Sequence, residues 1–345
     1  MALEASVLDP ARIRALVNKE YGIEVQRAER LPLGTANCYR LYTLHQSYFL
    51  KEFQSSMQEA ALLREADLTR RLAERGIRTA QFIRTKSGGP FIVEQGHLIC
   101  LQEYIEGTAY GYDDFPKELL MEMGALLGRL HTAMAGCALP SGKIEFTEAS
   151  LAQTEAKLTR LLSVLEAHRT DKNYQKIKQD LHEKSRILQQ NRQWMEICRR
   201  AACAPSHGDF QGCQLICGDG HIRVVIDFSA ACTLPLVWEV MRSYVQTSSF
   251  CRRAAKIDAD ELLQYVAAYL QQAPLSQADL AAMPYVYLWQ LSKSAYGYEE
   301  YLLSESEDRD GLLAFAFWRT RICQELVRQA PVLSRKLSAL AAARD

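Results

Sequence analysis

The chain has 345 residues, 41 basic and 41 acidic side chains, no net formal charge, and 48% hydrophobic residues. That is enough apolar material for a sizeable core in one large domain or two lobes. The charge balance excludes the electrostatic footprint of a nucleic-acid or anionic-membrane binder, and the apolar run GLLAFAFW (311–318) is too short to span a membrane.

In chain order, an amphipathic helix is expected after Asp9-Pro10, without the cationic-then-apolar order of a secretory signal. Residues 29–44 and 47–53 read as strands, and 57–77 as a helix ended near Gly76. The segments AQFIRT (80–85), PFIVEQ (90–95) and HLICLQEYI (97–105) read as further strands, giving a small lobe with a mostly antiparallel sheet. After Glu106-Gly107 the pattern turns helical, with a helix at 117–134. A helical hairpin follows at 150–169 and 173–201, turning at 170–173. Two short strands stand around the turn at 218–221, and nearly everything from Trp238 onward is helical. The expected architecture is therefore α+β and two-lobed, with a sheet lobe at 1–106, a larger helical lobe at 107–345, and a cleft between them.

The polar motif lies at those short strands. Residues 206–214 read SHGDFQGCQ, and 223–229 read RVVIDFS. Asp209, in a tight loop, can act as proton acceptor for a hydroxyl. Gln214 offers an amide oxygen and Asp227 a carboxylate at the end of an apolar strand, and a strand-turn-strand would bring these two together. Oxygen donors of this kind suit magnesium, and phosphoryl transfer needs metal, cationic neutralisation and an oriented base.

His207-Gly208-Asp209, with Gln214 five residues on, followed by Ile226-Asp227-Phe228, resembles the aminoglycoside phosphotransferase and choline kinase superfamily, which has a protein-kinase-like fold. The resemblance covers about residues 27–250 in order. It implies that LGTAN (33–37) is the phosphate-covering loop, through Gly34, Thr35 and Asn37. It implies that Lys51 in YFLKEF binds phosphate, that Glu65 pairs with this lysine, and that Gln102, Glu103 and Tyr104 belong to the interlobe hinge that receives the adenine. Asp209 is then the catalytic base, with Gln214 and Asp227 as the magnesium ligands. ATP or GTP would be the phosphoryl donor and a small hydroxylated molecule the acceptor.

Two positions depart from the pattern. The usual asparagine at 214 is glutamine, one methylene longer with the same carbonyl oxygen, as in maltokinase-like members. Ser229 stands where many relatives carry a carboxylate. The implied function is an ATP-dependent kinase of a sugar, amino alcohol or aminoglycoside-like acceptor. The alternative is a non-catalytic kinase-fold protein with a structural role, similar to the spore-coat branch.

Plainer readings stand beside these. An Asp next to Gly is ordinarily a turn residue, and a strand lysine ordinarily guards an edge. Glu59 competes with Glu65 as partner for Lys51. His207 is expected to brace its loop and His131 to be a satisfied helix histidine. The acidic run 304–310 suits a cationic substrate, though such a run is more often a solvated loop, and the Tyr-rich stretch 296–301 suits an amine or sugar, or equally a helix with one buried face. The ten cysteines form no Cys-x-x-Cys and have no organised histidine partners, so reduced thiols in a cytoplasmic protein are expected, with no zinc site. Monomer and homodimer both remain open.

Overall fold

Asp9 starts the first helix: its side chain accepts from the Arg12 N–H at 2.7 Å, and Pro10 occupies the first turn, where no backbone donor is needed. The computed structural model describes residues 3–32, 36–142, 144–304 and 308–342. Along the chain come α1 (Pro10–Tyr21), β1 (Arg27–Leu31), β2 (Asn37–Tyr42), β3 (Ser47–Glu52), α2 (Glu59–Glu74), β4 (Phe91–Glu94), β5 (His97–Glu103) and β6 (Thr108–Ala109). Next are α3 (Leu120–Met134), α4 (Glu148–Leu165), α5 (Tyr174–Gln190), α6 (Trp194–Arg199), β7 (Cys203–Ser206), β8 (Leu215–Gly218), β9 (His221–Val225) and β10 (Cys232–Pro235). The chain ends with α7 (Leu236–Thr247), α8 (Ser249–Ala254), α9 (Ala259–Leu270), α10 (Gln277–Lys293), α11 (Tyr296–Leu303) and α12 (Arg309–Ala342).

The sheet lobe comprises Ala2–Ala109 together with Gln214–Ala230. Among the described residues its main sheet is antiparallel in the order β1-β2-β3-β5-β4. Side chains alternate between the two faces. Tyr39, Leu41, Leu50, Ile99 and Leu101 pack against Ile13, Leu16 and Val17 of α1. Cys38, Phe53 and Cys100 pack with Leu62 of α2 on the other face. Leu50 is fully buried, which stabilises the lobe by about 2 kcal/mol. Lys51 shares its face of β3 with Phe49 and Phe53, and this turns a charge toward α2.

Segment 80–85, expected as a strand, is not one. It runs beside β5 with single backbone bonds, Ile83 N–H to Leu101 O at 2.8 Å and Glu103 N–H to Gln81 O at 2.9 Å, without a continuous ladder. The 214–230 hairpin, placed in the second lobe by a division at 106/107, groups with the sheet lobe instead. β6 pairs with β8, and the Val225 N–H donates to Arg78 O at 3.2 Å.

The helical lobe comprises Tyr110–Cys213 and Ala231–Asp345. Helix α3 lies so close to α9 that a Cβ on Gly124 or Gly128 would come within 2.7 Å of Tyr265 O or 2.5 Å of Tyr269 O. The second arm of the helical hairpin is shorter than expected. The Asn191 amide donates to Ile187 O at 2.8 Å and closes α5, and the chain turns before α6. A further pair of strands, β7 with β10, was not expected; both are four residues long and contain proline, too short for an alternating pattern to register. Among the described residues, no helix is long and apolar enough to cross a membrane.

Candidate active site

In the sheet lobe, β3 holds Lys51 in register with Cys38 on β2 and Cys100 on β5, both buried. Its ammonium is 3.4 Å from Asp227 Oδ1 and lies over the Phe53 ring at 5.2 Å. Glu65 sits one turn beyond Leu62 on the buried face of α2 and receives the Phe228 backbone N–H, while its Oε2 has no hydrogen-bond partner. Glu59, its rival, is exposed at the helix start. Burial alone would pull the Lys51 ammonium down, but the Asp227 and Glu65 carboxylates outweigh it and hold it above the ordinary lysine value. Burial pushes Glu65 up to about 7 against the pull of Lys51. The ion pair that Lys51 makes is thus with Asp227, and Glu65 acts on it through its charge.

The β8–β9 hairpin brings Gln214 and Asp227 to neighbouring rungs. Leu215 pairs with Val225, and the Ile226 N–H donates to Gln214 O at 3.0 Å. Its turn, Asp219-Gly220, has φ of 54° and 76°, the geometry that tight hairpins require. Asp227 also has positive φ, 61°, but sits past a strand end and not in a hairpin turn. Non-glycine residues in this region carry some strain, and such residues recur at functional sites. The Ser229 hydroxyl donates to Asp227 Oδ1 at 2.8 Å, so the residue standing for the missing carboxylate orients this one.

The donor set fits a nucleotide-borne magnesium ion. One carboxylate and one amide oxygen are hard ligands, and among the described residues no cluster of three His, Cys, Asp or Glu is arranged to cage a metal. Magnesium bound with phosphates takes one or two protein oxygens and completes its shell with phosphate and water.

In the helical lobe, Asp209 lies on a loop built around Glu239 of α7. Glu239 is fully buried and accepts backbone N–H groups of His207 at 3.1 Å, Gly208 at 2.6 Å and Phe210 at 3.5 Å. It also pairs with His131 Nε2 at 2.9 Å, whose Nδ1 is 2.8 Å from the Tyr269 hydroxyl. Burial pushes the Glu239 carboxyl up, but the hydrogen bond and charge of His131, with His207 and Arg242 beyond, more than offset it and hold it below the ordinary value. His207 Nδ1 accepts the Asp209 N–H at 3.3 Å, which braces the loop. The Asp209 carboxylate is ion-paired with Arg242 and approached by the Gln211 amide at 3.3 Å.

Other candidates are placed differently. Gly34 and Thr35 lie outside the described residues. The buried Asn37 amide is engaged within its lobe, donating to Glu4 O at 3.1 Å and accepting from Arg30 at 2.8 Å. Gln102 is buried in β5; Glu103 ends that strand and accepts the Gln81 N–H at 3.2 Å; Tyr104 follows it, with its ring 4.0 Å from the Arg40 guanidinium. The acidic run 304–310 lies partly outside the described residues, and α11 buries Tyr298 and Tyr301 while Tyr296 stays exposed. Sequence reasoning missed Glu239 and Arg242. Their signal was present: two opposite charges one helical turn apart in the apolar run PLVWEVMRSYV.

The model of the phosphotransferase enzyme family, APH, matches residues 27–283. The chain belongs to this family. Among solved structures, spectinomycin phosphotransferase APH(9)-Ia with ADP and spectinomycin is similar, with a TM-score of 0.68 and 14% identity over 96% of this chain and 100% of that one. Amicoumacin kinase hAmiN, in complex with AMP-PNP, Ca2+ and Ami, has a TM-score of 0.65 and 17% identity over 92% and 94%. A microcompartment-associated aminopropanol kinase has 0.61 and 13% over 94% and 98%. No curated protein matches the chain in sequence. At these identities the likeness is one of fold, and this phosphotransferase-family chain has the two-lobed, protein-kinase-like architecture of those enzymes.

Proposed function

We propose that this family member is a kinase that transfers the γ-phosphoryl group of ATP or GTP to a hydroxyl of a small metabolite. The observation that carries the reading is the half-buried Lys51–Asp227 pair, with Asp227 held at positive φ beside Gln214. Lys51 neutralises nucleotide phosphate charge, and the Asp227 and Glu65 carboxylates keep that ammonium charged. Gln214 and Asp227 would hold magnesium, which when bound supplies further neutralisation of the phosphates. Asp209, oriented by Arg242 and Gln211, accepts the acceptor's hydroxyl proton. The acceptor oxygen bonds to the γ-phosphorus as the bridging β,γ bond breaks, and the nucleoside diphosphate leaves with that electron pair. The similar structures include a spectinomycin phosphotransferase and an aminopropanol kinase, which supports a small-molecule acceptor. The ten free cysteines support a reducing, cytoplasmic setting.

Two outcomes test the assignments. Lys51→Met raises the KM for magnesium–ATP about tenfold or more, because a charge-assisted contact to phosphate is lost; an unchanged KM removes Lys51 from the nucleotide site. Gln214→Asn retains measurable turnover, since the amide oxygen remains. Loss of all activity with an unchanged melting curve would show that the longer side chain is required.

A further inference from the structure

Three arginines of the helical lobe stack on aromatic rings, Arg252 and Arg319 both on Phe315 and Arg242 on Trp238, and only two have a carboxylate. Arg242 pairs with Asp209, and Arg252 pairs with Asp113 at 2.8 Å while stacking over Trp318 at 4.6 Å. Arg319 of α12 lies over the Phe315 ring at 4.4 Å and donates to the Ser294 hydroxyl at 2.7 Å. Among the described residues no carboxylate pairs with it, and its Nε is buried without a partner. Arg242 likewise keeps a buried Nη1 without a partner. The two guanidiniums lie within electrostatic reach of each other and of Tyr287, and burial together with the Arg242 charge lowers the Arg319 pKa.

Building on the kinase reading, we propose that the acceptor carries an anionic group, a carboxylate or a phosphate, and that Arg319 binds it. A buried charge without a counter-ion is unfavourable in the protein alone. A ligand that supplies the counter-ion removes that penalty, and a planar guanidinium whose Nε–H lacks a partner matches the oxygens of carboxylate and phosphate. A cavity of about 280 Å³ adjoins this place, a volume suited to a small metabolite. Ser294, the hydrogen-bond partner of Arg319, lines it, as does Gln290, which accepts from Trp238 Nε1 at 3.2 Å; Arg242 lies over that indole at 5.5 Å. The charges that line the cavity, Lys157, Lys293, Glu145 and Glu299, cancel, so the positive charge of Arg319, which stands behind Ser294, is in excess. A polycationic acceptor would meet repulsion there.

The test measures ADP release with glycerate, gluconate and glycerol 3-phosphate against glycerol, glucose and ethanolamine, in wild type, Arg319→Met and Arg319→Lys. The expected result is that one anionic compound exceeds its neutral counterpart at least about tenfold in kcat/KM. Whether it is a carboxylate or a phosphate ester identifies the source of the charge. Arg319→Met raises its KM about tenfold or more with kcat nearly unchanged, and Arg319→Lys restores part of the loss. Ligand-free Arg319→Met melts at the same temperature as wild type or higher, because an uncompensated charge is gone. Preference for neutral or cationic acceptors, or a variant that melts lower with its acceptor preference unchanged, overturns the proposal. Calorimetric titration with glycerate and with inorganic phosphate separates the two readings. Binding that depends on Arg319 in a protein that fails to bind magnesium–ATP supports the anion site and removes the kinase reading. No anion binding in a protein that does bind magnesium–ATP overturns the anion site alone.

Discussion

Asp209→Asn lowers kcat about a thousandfold and leaves magnesium–nucleotide affinity within about twofold. Asparagine keeps the shape of the side chain and its contact with the Gln211 amide, but it cannot accept a proton from the acceptor hydroxyl. The loop itself persists, because its backbone N–H groups are held by Glu239 and its bracing bond comes from His207, and none of these uses the Asp209 carboxylate. The split between turnover and binding separates a base from a scaffold residue. Steady-state kinetics with calorimetry of the same preparation reads both; undiminished turnover would remove Asp209 from the chemistry.

Glu239→Ala destabilises the protein by about 3–5 kcal/mol, the largest stability effect expected of a single substitution here. The substitution strands backbone donors of His207, Gly208 and Phe210 and leaves His131 Nε2 without its carboxylate, all in a dry interior. The acid limb carries the same signature. The folded carboxyl titrates below its ordinary value of 4.5, so the unfolded chain binds the proton more readily. The stability that it contributes is therefore complete above that ordinary value and drains away as pH falls through the lower folded value. The melting-temperature gap between wild type and Glu239→Gln stays constant from about pH 8 to 5.5 and narrows below about pH 4. A gap that stays constant into acid, or a stable Glu239→Ala, would mean that the loop is held by something else.

The parts legible from sequence share one property: their partners are near in the chain or fixed by strand alternation. Lys51 stands out as a charge among Phe49, Leu50 and Phe53, and alternation directs it to the α2 face where Glu65 lies. Gln214 and Asp227 are joined by a hairpin whose Asp-Gly turn is visible in the sequence. The parts that were not legible depend on distant partners. Glu239 meets His131 across 108 residues, and no local pattern says which buried histidine its carboxylate will find. Arg242 on Asp209 spans 33 residues between a helix and a loop. β7 and β10 are too short to show a period, and segment 80–85 has a strand's composition but forms only isolated bonds. The hairpin at 214–230 reads as part of the second lobe because it is embedded in that sequence, yet its backbone pairs with β6 and with Arg78 near the end of α2.

The most direct measurement is calorimetric titration of the protein with ATP and GTP, with and without magnesium, in wild type and Asp227→Asn. The kinase reading predicts nucleotide binding that strengthens with magnesium in wild type and loses that dependence in Asp227→Asn. Absence of nucleotide binding under every condition would contradict it and leave a kinase fold that serves a structural role.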